Sequence, residues 1–211
     1  MSYHAVATAV GLFALTFLSP GPNLFLIVQT SLSQGRSAGL AAGAGVATGD
    51  AVYAALGLVG MATIISTSHT IFAIIQTLGG AYLVWYGFNL FRQARGRTKA
   101  VMGTAQVPST HARANFRRGM ITDLANAQTA LFFVSIFSVT ITPSTAWSTK
   151  LAIWLGITMT SLLWRSVVCL AFSRPLIRRG YMHLQGYLEQ LVGVVLMGFG
   201  LKLIYSGLRP N

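Results

Sequence analysis

The sequence predicts an all-α integral membrane protein, with six transmembrane helices built as two inverted three-helix repeats. Three observations carry this. The 211 residues are 54% hydrophobic and only 9% charged, against about 25% charged in soluble domains. Apolar runs recur six times, over roughly 5–32, 38–65, 71–91, 117–141, 148–172 and 186–207, and about 20 apolar residues cross a bilayer as a helix. The third and sixth runs share the pattern G-x-x-L-x-x-x-G-x-x-L, from Gly80 to Leu90 and from Gly193 to Leu203, which also pairs Gln76 with Glu189. With three spans per half, the second half enters from the opposite face. That plan recurs in transporters, whose substrate site lies where interrupted helices meet. The single domain divides into repeat one at about 1–92, a basic loop at about 92–116, and repeat two at about 117–211.

Span 1 is interrupted by Ser19-Pro20-Gly21-Pro22-Asn23. Each proline removes a backbone donor and clashes with the preceding turn. In lipid, backbone opened this way is tolerated only where it is buried in protein or lines a wet cavity. The break therefore predicts an interior site. No Lys or Arg occurs in the first 35 residues, and no small-x-small cleavage site follows the apolar run before Pro20, so span 1 is read as retained rather than as a signal peptide.

Span 2 places Gly39, Gly43, Val46 and Asp50 on one helical face, followed by Tyr53, Ala54 and Gly57. Small residues at these spacings let helices approach closely. An acid at the bilayer centre costs about 2.5–3.5 kcal/mol on insertion scales, so Asp50 needs a partner, water or a proton. It is a candidate proton carrier, the alternative being a hydrogen bond to a neighbouring helix. In span 3 and beyond, Tyr82, Trp85, Tyr86, Trp147, Trp154 and Tyr205 read as interface belts or packing.

Span 4 aligns weakly with span 1, Thr122-Asp-Leu-Ala-Asn126 against Ser19-Pro-Gly-Pro-Asn23. Thr122, Asp123, Asn126 and Gln128 form a candidate binding cluster, the alternative being that they hold helices together. Asp123 lies about 7 Å along the axis from Arg117 and Arg118 and can pair with either. Asn126 and Gln128 go deeper and need hydrogen-bond partners. In span 5, Arg165 shares a face with Thr158 and Ser161. It can bind a carboxylate ligand, pair with Asp50 or Asp123, or snorkel to the surface. Glu189, near the start of span 6, is expected at the interface.

The net charge of +12 invites a nucleic-acid reading, but its distribution argues against one. Eleven of the fifteen Lys and Arg fall in loops 1–2, 3–4 and 5–6, while Lys150, Lys202 and Arg209 lie on the other side. By the positive-inside rule, the long basic loop is cytoplasmic and both termini are periplasmic. The single Cys169 excludes two-thiol redox chemistry. No His pair has metal-ligand spacing, and no Gly-Lys-Ser/Thr phosphate loop is present. Neither metal nor cofactor is expected, and any transport is gradient-driven or passive. The glycine faces suit a homodimer as readily as internal packing.

Taken together, Pro20-Gly21-Pro22-Asn23, Gly49-Asp50, Gly79-Gly80…Gly87, Gly119…Asn126…Phe132-Phe133 and Gly193…Gly200 resemble the LysE/RhtB family of amino-acid exporters. Val28-Gln29-Thr30, Arg179-Gly180-Tyr181 and Gly198-Phe-Gly200 bring the chain nearest the threonine and homoserine exporters. The resemblance implies export of small amino acids across the bacterial inner membrane by proton exchange, without enzymatic activity. Pro20, Gly21, Pro22, Asn23, Asp50, Thr122, Asp123, Asn126, Gln128 and Arg165 are then the expected substrate site. Its broken helix ends hold a carboxylate and an ammonium, Thr122 meets a side-chain hydroxyl, and Asp50, with Asp123 second, carries the proton. One departure stands out. The family's usual Asn-Pro-Lys is here Asn126-Ala127-Gln128, which makes a second helix break less secure and leaves Arg165 as the candidate charge. The alternatives are a transporter of another solute or cation on the same scaffold, and a non-transporting membrane scaffold.

Overall fold

The apolar runs determine where helices form, and the polar breaks determine where they stop. A computed structural model describes residues 2–17, 21–96, 111–142, 144–172 and 175–208, so Pro20 lies outside the described residues. Within them the secondary structure is entirely helical. Span 1 is two helices. In α1 (Tyr3–Thr16), Ser2 Oγ accepts from Ala5 N at 3.4 Å and caps the first turn. The second, α2 (Pro22–Gln34), starts with Pro22 at a position where a missing N–H costs nothing, and Gly21 is extended before it. It stops at Gly35, whose φ of 92° is a conformation that disfavours any side chain. Spans 2 and 3 are α3 (Arg36–Thr67) and α4 (His69–Gly96).

Span 4 is also two helices, α5 (Ala112–Leu124) and α6 (Ala127–Thr140), whose axes differ by 60°. The break forms without a proline. Asn126 takes an extended conformation (φ −85°, ψ 100°), and its side chain accepts from Gln128 N, capping α6. A polar cap does here what the sequence reading assigned to a proline. Spans 5 and 6 are α7 (Trp147–Phe172) and α8 (Pro175–Leu208). Among the described residues four helices are long and apolar enough to cross a membrane, or five if the bent α5–α6 pair is one span. Helix α1 is apolar but shorter.

The packing centres on α3. Its Gly39–Gly43 face lies against α2 and α7: a Cβ on Gly39 would meet Cys169 Sγ and Ser31 Cβ at 2.7 Å. A second face meets the bent span. Gly45 abuts the Phe116 carbonyl, Gly119 abuts the Ala42 carbonyl, and Gly57 lies under the Phe137 ring. Helices α4 and α8 cross at reciprocal glycines. A Cβ on Gly80 would lie 2.6 Å from Gly200 O and one on Gly200 2.5 Å from Gly80 O, while Gly87 and Gly193 face each other in the same way at 2.5 Å. Backbones can approach so closely only where side chains are absent. Glu189 is buried in α8, at 1% exposure. The helix starts eleven residues ahead of the apolar run, so position 189 is not at its end.

Candidate functional site

The two helix breaks meet a single cavity. It encloses about 60 Å³ and is lined by the end of α1 (Phe13, Thr16, Phe17), the start of α2 (Gly21 to Leu24), and the first turns of α6. Asp50 of α3 and Trp164 and Arg165 of α7 complete it. Pockets that hold small ligands usually measure about 300–1,000 Å³, so this cavity is smaller than most of them.

Asp50 and Arg165 pair inside the protein. Asp50 Oδ2 accepts from Ser161 Oγ at 2.6 Å and from Arg165 Nη2 at 3.3 Å, with both charged residues buried. Arg165 pairs with Asp50, as one of its sequence readings had it, and the side chain does not snorkel. Ser161 lies one turn before Arg165 on α7, which is why one carboxylate oxygen receives both. The guanidinium carbon also lies 5.2 Å from the Phe17 ring centroid, and Phe17 stacks on Trp164 at 5.5 Å.

Asn23 and Asp123 tie the two breaks together. Asn23, in the first turn of α2, donates from Nδ2 to Asp123 Oδ1 at 2.6 Å, and Thr129 of α6 donates to the same oxygen at 3.2 Å. Asp123 is fully buried and pairs across to α2 rather than with Arg117 or Arg118. Gly49 permits this approach, since a Cβ there would lie 2.5 Å from Asp123 Oδ2. Asp123 thus stands behind the wall formed by Asn23 and does not itself line the cavity.

The remaining expected residues divide. Gly21, Pro22, Asn126 and Gln128 line the cavity, and Thr122 does not. The Gln128 side chain donates to Tyr86 Oη, and Tyr86 stacks on Tyr82 at 6.0 Å. Sequence reasoning did not single out Thr129, Phe17, Trp164 or Tyr86 for the site. The 60° bend resets the helical phase after Asn126, so Thr129 rather than Thr122 turns inward. Three buried polar atoms on cavity-lining residues have no hydrogen-bond partner among the described residues: Arg165 Nε and Trp164 Nε1, both donors, and Asn23 Oδ1, an acceptor. Among the described residues no cluster of His, Cys, Asp or Glu can hold a metal ion.

An aromatic layer closes one side of the cavity. Phe13 packs edge-on to Phe17 at 4.9 Å and lies 5.5 Å from Phe133, which in turn reaches Tyr53 at 6.0 Å and Phe137 at 5.7 Å. Tyr53 Oη donates to the carbonyl of Leu124, at the end of α5, at 2.6 Å.

No solved structure matches the chain. Among curated proteins it is 47% identical over 209 residues to the uncharacterized membrane protein YahN of Escherichia coli, covering 99% of this chain and 92% of that one. It is 30% identical over 192 residues to the threonine efflux protein of Salmonella typhi (91% and 93% covered). To a leucine efflux protein from an Enterobacter species it is 30% identical over 199 residues, covering 92% of each. Residues 14–207 match the LysE type translocator family. The chain therefore belongs to the LysE/RhtB family of amino-acid exporters, to which its interrupted, cavity-lining helices had already pointed.

Proposed function

We propose that this protein exports a small hydroxylated amino acid, threonine or homoserine in type, across the bacterial inner membrane in exchange for protons. The observation that carries the reading is the buried Asp50–Arg165 pair facing a cavity between two helix breaks. A zwitterion is the ligand such a pair suits. Its ammonium takes Asp50 and its carboxylate takes Arg165, so the amino acid inserts head to tail and separates the two side chains. The unpartnered donors Arg165 Nε and Trp164 Nε1 and the acceptor Asn23 Oδ1 supply further bonds of the two polarities that the zwitterion needs. Leaving such atoms unbonded costs about 1–3 kcal/mol each. Thr129 and Gln128 flank the space left for a side-chain hydroxyl, in the role first expected of Thr122.

Proton exchange follows from competition at Asp50. A protonated carboxyl neither pairs with Arg165 nor binds an ammonium, so proton and substrate exclude one another at the same oxygens. Asp123, held by Asn23 and Thr129, positions the break instead of binding substrate. We read the chain as a six-span inverted repeat with both termini periplasmic, the repeat being supported by the reciprocal Gly80–Gly200 and Gly87–Gly193 contacts. In each contact the first glycine of one copy of the shared pattern meets the second glycine of the other, as a two-fold relation between the copies requires. The name threonine efflux protein on a full-length relative supports the substrate class.

The test is efflux from proteoliposomes loaded with labelled threonine. Acidifying the outside is expected to accelerate efflux, and unlabelled homoserine to compete. Absence of flux for every one of the twenty amino acids, with or without the gradient, would reject the exporter reading.

A further inference from the structure

A second hollow lies on the outer surface between α3 and α7. It holds about 360 Å³ and is lined by Ala55, Leu58 and Val59 of α3 and by Leu151 and Trp154 of α7, with Trp147, Ser148 and Lys150 at one end. It runs about 10 Å along α7, room for a stretch of acyl chain. The polar end is the first turn of α7, where that span begins, so Lys150 stands at headgroup level.

Lys150 is half-buried, its Nζ lying 4.9 Å from the Trp147 ring centroid. Among the described residues no acidic side chain neutralises it. The chain has three Asp and Glu residues, and Asp50, Asp123 and Glu189 are all buried elsewhere. A cation at the mouth of an apolar groove, with a hydroxyl two residues away and no internal counter-ion, calls for an anion with a hydrocarbon tail. The groove also borders the seam that carries the transport pair. Trp154 Nε1 donates to Ala51 O at 2.9 Å, and Ala51 adjoins Asp50.

We propose that this groove binds one anionic phospholipid, its acyl chain along Leu58, Val59 and Leu151 and its phosphate at Lys150 and Ser148. Seated there, the lipid braces α3 against α7 from outside.

The test is native mass spectrometry of the full-length protein released from nanodiscs of equimolar phosphatidylglycerol and phosphatidylethanolamine. Wild type and Lys150→Arg are expected to retain phosphatidylglycerol preferentially. Lys150→Gln should lower that preference about fivefold, the effect of one basic residue near anionic lipid. Val59→Trp, which fills the groove from an exposed position, should reduce retention of both lipids. Equal retention by Lys150→Gln and wild type, or undiminished binding in Val59→Trp, would overturn the proposal. Should Val59→Trp fail to express, the contrast between Lys150→Gln and Lys150→Arg decides alone.

Discussion

Replacing Asp50 by Asn keeps the shape of the side chain and removes only its charge. The Ser161 hydroxyl retains an acceptor, but Arg165 loses the carboxylate now 3.3 Å away and is left as a buried, uncompensated cation. Removing one partner of a buried pair typically costs about 3–5 kcal/mol, so the variant should be poorly stable. An ammonium would also lose a charged hydrogen bond worth about 1.5–3 kcal/mol, which lowers substrate affinity about tenfold to a hundredfold. Loss of transport in Asp50→Asn therefore has two explanations, and the double variant Asp50→Asn/Arg165→Gln separates them. It removes both charges, so it should recover thermal stability in detergent towards wild type. Threonine efflux from proteoliposomes should stay at background and insensitive to an imposed pH gradient. If the double variant recovers both stability and gradient-driven efflux, the pair is only a brace between α3 and α7, and the insertion mechanism is wrong.

Other substitutions test the frame around the pair. Gly119→Ala places a methyl group into the Ala42 carbonyl and should cost about 1–3 kcal/mol from overpacking, read as a lowered melting temperature. Gly11→Ala, where a Cβ meets nothing within 4 Å, should leave that temperature unchanged or raise it slightly. Asn126→Ala removes the α6 cap and should destabilise by about 1 kcal/mol, whereas Asn126→Asp should retain the cap; thermal unfolding in detergent compares them. Thr122→Val should leave threonine KM unchanged and Thr129→Val should raise it, since only Thr129 lines the cavity. The reverse order in a vesicle transport assay would return the substrate hydroxyl to α5. Asn23→Leu strips the fully buried Asp123 of its 2.6 Å donor and should lower the yield of folded protein more than Asn23→Gln, which keeps an amide donor, does.

The longer helices were legible because lipid imposes a single rule, apolar length, which among the described residues four helices meet, or five with the bent α5–α6 pair as one span. The first break was equally plain, since Pro22 cannot continue a helix from the preceding residues. The second was not, because an asparagine cap leaves almost no trace among residues that also occur inside helices. Side-chain partners were legible only where helical periodicity fixed them, as with Ser161 and Arg165 one turn apart. Asn23 and Asp123 stand 100 positions apart, and their meeting depends on how two broken helices dock, which no local pattern encodes. Tyr86 read as belt or packing because aromatic type alone does not distinguish a lipid-facing ring from a buried one that holds Gln128.

The two interruptions differ in permanence. At the first, the ring of Pro22 opposes any upstream extension of α2. At the second, only hydrogen bonds hold the bend: Asn126 Oδ1 accepts from Gln128 N, Thr129 donates to Asp123, and Tyr53 donates to the Leu124 carbonyl, and no ring stands between Leu124 and Gln128. Straightening span 4 therefore exchanges side-chain hydrogen bonds for ordinary helical ones, a route that the ring of Pro22 opposes in span 1. A protein with one fixed elbow and one retractable elbow has a preferred direction in which to flex.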